Sequence, residues 1–260
     1  MNAATIANAA ARIAQARKDG VRLDKLPADC QPDNADTGYA IQDALHDRLG
    51  TPVAGFKIGC TTAVMQRFLD IAQPCAGSIL ETDVHKTPAT LSHAAFRRVG
   101  VECEIAVRLG TALPPSGAPY TRHTVADAVA SCMAAIEIVD DRYVDYKALD
   151  APTLIADDFF GAGCVLGPEV VDWQSLDLAA ADGMMTINGS EVGRGTGAHV
   201  MGHPFEALAW LANTRAERGL GLAANDIILT GSIVETHWLA AGDRVAIEIA
   251  GLGTAEVTLD

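Results

Sequence analysis

Basic residues are in short supply. The 260-residue chain carries 19 Lys and Arg against 33 Asp and Glu, a formal net charge of −14. No block of Lys or Arg offsets the excess of acid, so a nucleic-acid or anionic-membrane surface is disfavoured. A small anionic substrate would have to be drawn in by local positive charge. Also missing is any CxxC pair: the six cysteines stand singly at 30, 60, 75, 103, 132 and 164. Cys103 and Cys132 lie inside apolar patterns, where a thiol acts as a small hydrophobe. This usage predicts a reducing, cytoplasmic setting. No apolar run is long enough to span a bilayer, and the first twenty residues lack a basic stretch followed by an apolar core. Internal repeats, low-complexity segments and a clear linker are likewise absent.

What remains is a chain that is 49% hydrophobic and 20% charged, enough to bury a substantial core. The first third reads as helical. The spacing of Ile6, Ala10 and Ile13 predicts an opening helix closed by Gly20, a second helix ends at Gly50, and a third is expected over "TTAVMQRFL" from Thr61. After about residue 76 strand-like runs dominate: "VECEIAVRL", "AAIEIVD", "GCVLG", "MMTINGSEVG" with a hairpin turn at Asn188-Gly189, "DIILTGSIV" and "DRVAIEIAGLGTAEVTL". Two helices are expected among them, "TVADAVASCMAA" with Thr124 as N-cap, and "PFEALAWLANTRAERGLG" between Pro204 and Gly219. So few helices do not give a regular βαβ rhythm, which predicts an α+β architecture.

Three short stretches carry candidate chemistry. In "VECEIAVRL", alternation puts Val101, Cys103, Ile105, Val107 and Leu109 on one face and Glu102, Glu104, Ala106 and Arg108 on the other. The second face either meets water, with Arg108 as partner to the acids, or holds two carboxylates for a purpose. In "MAAIEIVDDRY", Glu137 sits between two isoleucines, where an unpaired carboxylate would cost several kcal/mol. It needs a cation: Arg142 or another arginine, or a divalent ion shared with Glu102 and Glu104. All-oxygen ligation would favour Mg²⁺ or Mn²⁺ over zinc. His199 and His203 are four apart, but Gly202 and Pro204 argue against a continuous helix between them, so they read as loop or cap residues. Lys57 in "GFKIG" has glycines on either side. Its stem either runs along apolar surface, or the glycines admit a ligand and the lysine serves as acid, base or anion holder, its pKa lowered by a nearby metal.

In this order "GFKIG", "VECEIAV", "AIEIVDDRY", "LIADDFFGAGCVLG", "INGSEVGRGTGAHVMGHPFEALAWLAN", "RGLGLAANDIILTGS" and "AGDRV" cover nearly the whole chain. They resemble the fumarylacetoacetate hydrolase superfamily, in its branch of 2-keto-4-pentenoate hydratases and 4-oxalocrotonate decarboxylases. The resemblance implies a mixed β-roll (76–260) preceded by a smaller helical N-terminal region (1–75), and a homo-oligomer. It implies Glu102, Glu104 and Glu137 as metal ligands, Lys57 as the active-site lysine and Thr230, Gly231 and Ser232 as a loop facing the substrate. The implied function is that of an Mg²⁺- or Mn²⁺-dependent lyase acting on a small 2-oxo or 2-hydroxydienoic acid through its enolate. Hydration is the first expectation; decarboxylation, C–C hydrolysis and loss of catalysis are the alternatives. Two positions depart from the family's common pattern: "QPDFG" is Gln73-Pro74-Cys75-Ala76-Gly77, and "ADN" is Ala156-Asp157-Asp158. If the acid at the first is a proton carrier, Glu81 or Asp83 would have to stand in for Cys75.

Overall fold

The computed structural model describes residues 1–62, 66–67 and 71–260. Two capped helices open the chain. In α1 (Ala3–Asp19) the Asn2 side chain accepts from the Thr5 amide at 2.9 Å, and in α2 (Ala35–Leu49) Asn34 and Thr37 form a reciprocal capping box. Together these caps satisfy amides that the first helical turn leaves without partners. Ile13, Ile41 and Leu45 form a small core between the helices. The helix expected from Thr61 falls largely on residues outside those described.

A seven-stranded sheet carries the rest of the architecture, in the order β2 (Cys75–Leu80), β1 (Val53–Gly59), β10 (Ile227–Trp238), β5 (Val99–Leu109), β6 (Val129–Asp140), β7 (Gly161–Leu166), β3 (Val84–Lys86). It is mixed: β1 runs parallel to β10 and β3 parallel to β7, while the other pairs are antiparallel. It also curls, so that β2 comes against β7. A five-stranded sheet follows the order β4 (Ala89–Leu91), β12 (Gly253–Leu259), β11 (Arg244–Ile249), β8 (Asp182–Ile187), β9 (Ser190–Thr196). The result is the α+β roll that the sequence predicts, with one difference in layout. Strand β1, which precedes residue 75, is built into the large sheet between β2 and β10.

Alternation along β5 works as read. Val101, Cys103, Ile105 and Val107 pack into the main core together with Ile136 and Ile138 of β6 and the inner residues of β11 and β12. On the opposite, concave face, Ala106, Met133, Ala135, Cys164, Ile227 and Leu229 form a second buried cluster. The Asn188-Gly189 turn has the two positive φ angles of a tight hairpin, 52° and 81°. Helix α4 (Pro204–Glu217) starts as expected at Pro204, with His203 as its cap.

The helix expected over "TVADAVASCMAA" is corrected. A short α3 (Arg122–Ala126) forms there instead, capped by Thr121 with Thr124 as its capping-box partner, and the chain is already in strand from Val129. Ala and Met favour helix locally, yet β6 is hydrogen-bonded on both sides, to β5 and β7, and fully buried pairing outweighs propensity. Among the described residues no helix is long and apolar enough to cross a membrane.

Candidate active site

The concave face of β5 changes character beyond Ala106. Glu104 is fully buried; Glu102, directly opposite Glu137 in the β5–β6 register, is half-buried; Glu137 is buried. Carboxylate oxygens of the three lie within 4.8 Å of one another. Each is held differently. Glu104 Oε2 accepts from the Gly231 amide at 2.8 Å, whereas Glu104 Oε1 is buried without a hydrogen-bond partner among the described residues. Glu102 accepts from the Thr236 hydroxyl. Glu137 Oε1 lies 3.1 Å from Lys57 Nζ, an ion-pair contact whose angles fall short of a hydrogen bond.

Lys57, not Arg142, is therefore the cation that meets Glu137. Arg142 is taken by Asp157, through Nε at 3.0 Å, and by the Gly161 carbonyl. The lysine stem does not run along a surface: Lys57 is 3% exposed, with its ammonium 5.1 Å from the centroid of Phe159. The glycines around it serve packing, and the close approach is by protein. A Cβ on Gly55 would stand 1.9 Å from the Ile227 carbonyl of β10, and one on Gly59 would stand 2.8 Å from the Phe159 ring.

Burial and mutual repulsion govern the protonation of this group. Burial, reinforced by the charge of Glu137, pushes the Glu102 carboxyl up to about 7, and burial with the charges of Glu137 and Glu102 holds Glu104 well above the usual carboxylate range. Burial alone would lower the Lys57 ammonium, but Glu137, Glu102 and Glu104 outweigh it and the net direction is upward. The downward shift expected from a metal is thus reversed in the metal-free chain, because three acids face one lysine. The donor set suits a hard divalent cation: all oxygen, negative in excess of its partner, and with one buried oxygen left over.

The Thr230-Gly231-Ser232 segment is part of β10, at a register shift against β5. Gly231 has φ 122°, which turns its amide out of the ladder and onto Glu104. Thr230 is fully buried with its hydroxyl donating to the Ile105 carbonyl at 2.8 Å; Ser232 lines the cavity beside the glutamates. That cavity, about 350 Å³, is also lined by Lys57, Glu102, Thr61, Tyr146, Phe159, Phe160, His199, Glu235 and Trp238, the last six having no site role in the sequence reading even where a family stretch contains them. His203 caps a helix as expected, but His199 reaches the cavity wall with Nδ1 3.2 Å from the Ile233 carbonyl. Glu81 and Asp83 do not line this cavity, and Asp83 borders another one beside Arg17 and Arg142. Cys75 is buried in β2 opposite Gly59, its thiol pushed up by burial.

Behind Lys57 stands an unusual turn. Asp158, Phe159 and Phe160 all take left-handed backbone, at φ 58°, 48° and 66°, a conformation that costs non-glycine residues free energy unless the surroundings fix it. Asp158 provides the fixing. Its carboxylate accepts from the Ser78 amide at 3.0 Å, contacts His46 Nε2 of α2 at 2.9 Å and accepts from Arg17 of α1 at 3.0 Å. His46 first, then Arg17 and the Ser78 amide, overcome burial and hold this carboxyl well below the usual range. Its neighbour Asp157 accepts from Arg17, Arg142 and the Tyr143 hydroxyl.

Residues 76–260 match the family model "Fumarylacetoacetate (FAA) hydrolase C-terminal". The chain belongs to the fumarylacetoacetate hydrolase family. Relatives within that family bear on the branch. One, from Comamonas testosteroni, is named 2-hydroxyhexa-2,4-dienoate hydratase and is 37% identical over 82% of this chain and 80% of its own. Another, from Burkholderia vietnamiensis, is named 2-keto-4-pentenoate hydratase and is 33% identical over 98% of this chain and 97% of its own. Among solved structures, 4-oxalocrotonate decarboxylase from Pseudomonas putida G7, complexed with magnesium and adipate, superposes with a TM-score of 0.93 over 100% of this chain and 99% of that one at 23% identity. The fold of that solved structure thus spans the whole chain, N-terminal helices included.

Proposed function

We propose that this protein is a divalent-metal-dependent lyase of small 2-oxo or 2-hydroxydienoic acids, most like the 2-keto-4-pentenoate hydratases, with Mg²⁺ or Mn²⁺ held by Glu102, Glu104 and Glu137. The observation that carries this reading is the carboxylate trio, two of its members buried and one oxygen of Glu104 without a partner among the described residues, placed beside a buried lysine in a cavity of substrate size. The names of the relatives support the reaction class. Bound there, a divalent cation would stabilise the negative charge that develops on the C2 oxygen when such an acid passes through its enolate.

The chain's own residues supply the rest. Lys57 Nζ, buried among acids, holds a proton that it can pass to the substrate's carbon chain and recover from the 2-hydroxyl oxygen. Ser232 lines the cavity with its hydroxyl donating to the Val234 carbonyl, and Thr230 and Gly231 hold that end of β10 against Ile105 and Glu104. Phe159 shields the ammonium from water. Cys75 does not replace an acid in this scheme, because its thiol is buried and its proton is held more tightly than in water.

The test is Mg²⁺-dependent loss of the ultraviolet absorbance of 2-hydroxypenta-2,4-dienoate, measured beside decarboxylation of oxaloacetate. Hydration several-fold faster than decarboxylation is expected. Decarboxylation alone would transfer the assignment to the decarboxylase side of the branch, and neither reaction, with Mg²⁺ bound, would leave a metal-binding protein without this chemistry.

A further inference from the structure

Resting on that reading of the site, we infer that the acid taken here is a monocarboxylate whose far end is bulky and apolar, an aryl or branched alkyl tail, and not a second carboxylate. The argument follows one face of β5. Glu104, Glu102 and Gly100 succeed one another on that face, each step spanning roughly 7 Å. A 2-oxo acid held by its carboxylate end at Glu102 and Glu104 would therefore lay its fourth to sixth carbons over Gly100.

The surface there is apolar by construction. Gly100 pairs with Val139 on one side and Trp238 on the other. A Cβ at position 100 would come within 2.9 Å of Trp238 Cε3, 3.0 Å of Thr236 Cγ2 and 3.0 Å of Val139 Cγ2, so these three side chains close over the glycine as a floor. The facing wall is an edge-to-face cluster, Phe160 against Tyr146 at 5.4 Å and against Phe159 at 5.6 Å. A cavity of about 350 Å³ exceeds what a five-carbon acid needs and falls in the range of sites, roughly 300–1,000 Å³, that enclose larger ligands.

The charges agree with the shape. Among the described lining residues the cationic candidates are Lys57, committed to Glu137, and His199, whose Nδ1 is engaged by the Ile233 carbonyl. Glu235 lines the cavity as well. Arg98 lies outside the lining, stacked on Trp238 at 4.1 Å and paired with Asp141 at 3.5 Å. A second carboxylate on the tail would lose water and face Glu235, and among the described lining residues no guanidinium receives it. An aryl group would find edge-to-face partners on one side and an indole on the other.

Calorimetric titration of the Mg²⁺-loaded protein with pyruvate, 2-oxohexanoate, 4-phenyl-2-oxobutanoate and 2-oxoadipate tests this. The phenyl acid is expected to bind at least tenfold tighter than pyruvate and at least tenfold tighter than 2-oxoadipate. In Trp238→Ala and in Phe160→Leu the ratio of phenyl-acid to pyruvate affinity should fall toward one, and Glu235→Gln should raise 2-oxoadipate affinity relative to pyruvate. Trp238 is 37% exposed, so its truncation leaves the fold standing. Binding of pyruvate with no gain from the phenyl group, or 2-oxoadipate as the tightest ligand, overturns this inference and leaves the proposed function intact. Failure of every acid to bind in the presence of Mg²⁺ overturns both.

Discussion

Glu104 spends one oxygen on the Gly231 amide and leaves the other in the dry interior without a partner, a strain that a bound cation would relieve. Glu104→Gln separates two effects. Without metal, burial and the charges of Glu137 and Glu102 already favour the neutral form of Glu104, so the neutral amide should leave the melting temperature within about 2 °C of the wild type, the equivalent of roughly 0.5 kcal/mol in a chain of this size. With Mg²⁺ at a hundred times the wild-type Kd, the wild type should gain about 2.7 kcal/mol and the variant almost nothing. A calorimetric titration that finds equal Mg²⁺ affinity in the two proteins would remove Glu104 from the metal site. Lys57→Met separates stability from chemistry in another way. Its ammonium is the one described cation on Glu137, so its loss should destabilise the metal-free protein by about 3 kcal/mol. Mg²⁺ should restore much of that stability, yet turnover should stay down by ~10² or more, as for a lost proton carrier. Full recovery of turnover with metal would make Lys57 only a counter-ion. The three glutamates could be picked out in the sequence because period-two alternation puts Glu102 and Glu104 on one face and because Glu137 interrupts isoleucines. The partner of Glu137 could not, since Lys57 reaches it from β1 across a strand pairing that nothing local announces.

At the scale of elements, the left-handed turn at Asp158–Phe160 joins the helical N-terminal region to the site. Arg17 of α1 and His46 of α2 both grip Asp158, while Phe159, one residue on, lies against Lys57. The Asp158 carboxyl is depressed in the folded chain, so it adds stability at pH values above its unfolded value near 4, and that stability is lost as pH falls toward the folded value. Asp158→Asn should therefore cost about 3 kcal/mol at pH 7, and the gap between wild type and variant should narrow as the pH is taken below about 4. Urea unfolding across that range is the measurement, and a gap that stays constant would mean that the carboxylate charge is not what holds the turn. Sequence reading identified Asp158 as a departure but could not see its partners, which come from two helices and a strand 80 or more residues away. Nor could it see the aromatic wall, because three consecutive non-glycine residues in left-handed backbone have no local signature. The misread start of β6 has the same origin: Ala and Met there favour helix, and the pairing to β5 and β7 that overrides them is non-local. Caps, the Asn188-Gly189 turn and the helix from Pro204 depend on neighbours within a few residues, and these were legible.

At the scale of the whole molecule, the roll is asymmetric from end to end. Ala106, Met133, Ala135, Cys164, Ile227 and Leu229 cluster toward one end, the glutamates come next, and Glu235 and Trp238 stand exposed at the other. That strands would dominate after residue 76 in an α+β fold was readable from strand runs and turn residues. The mixed roll was an implication of the family resemblance alone, since the curvature that brings β2 against β7 is set by how strands far apart in the chain sit side by side. In the proposed pose, carboxylate inward at Glu102 and Glu104, substrate and product occupy the same chamber and exclude one another. The 4-hydroxy-2-oxo acid formed by hydration should therefore inhibit competitively against the dienoate in initial-rate experiments. A noncompetitive pattern would mean that the product also binds outside this chamber.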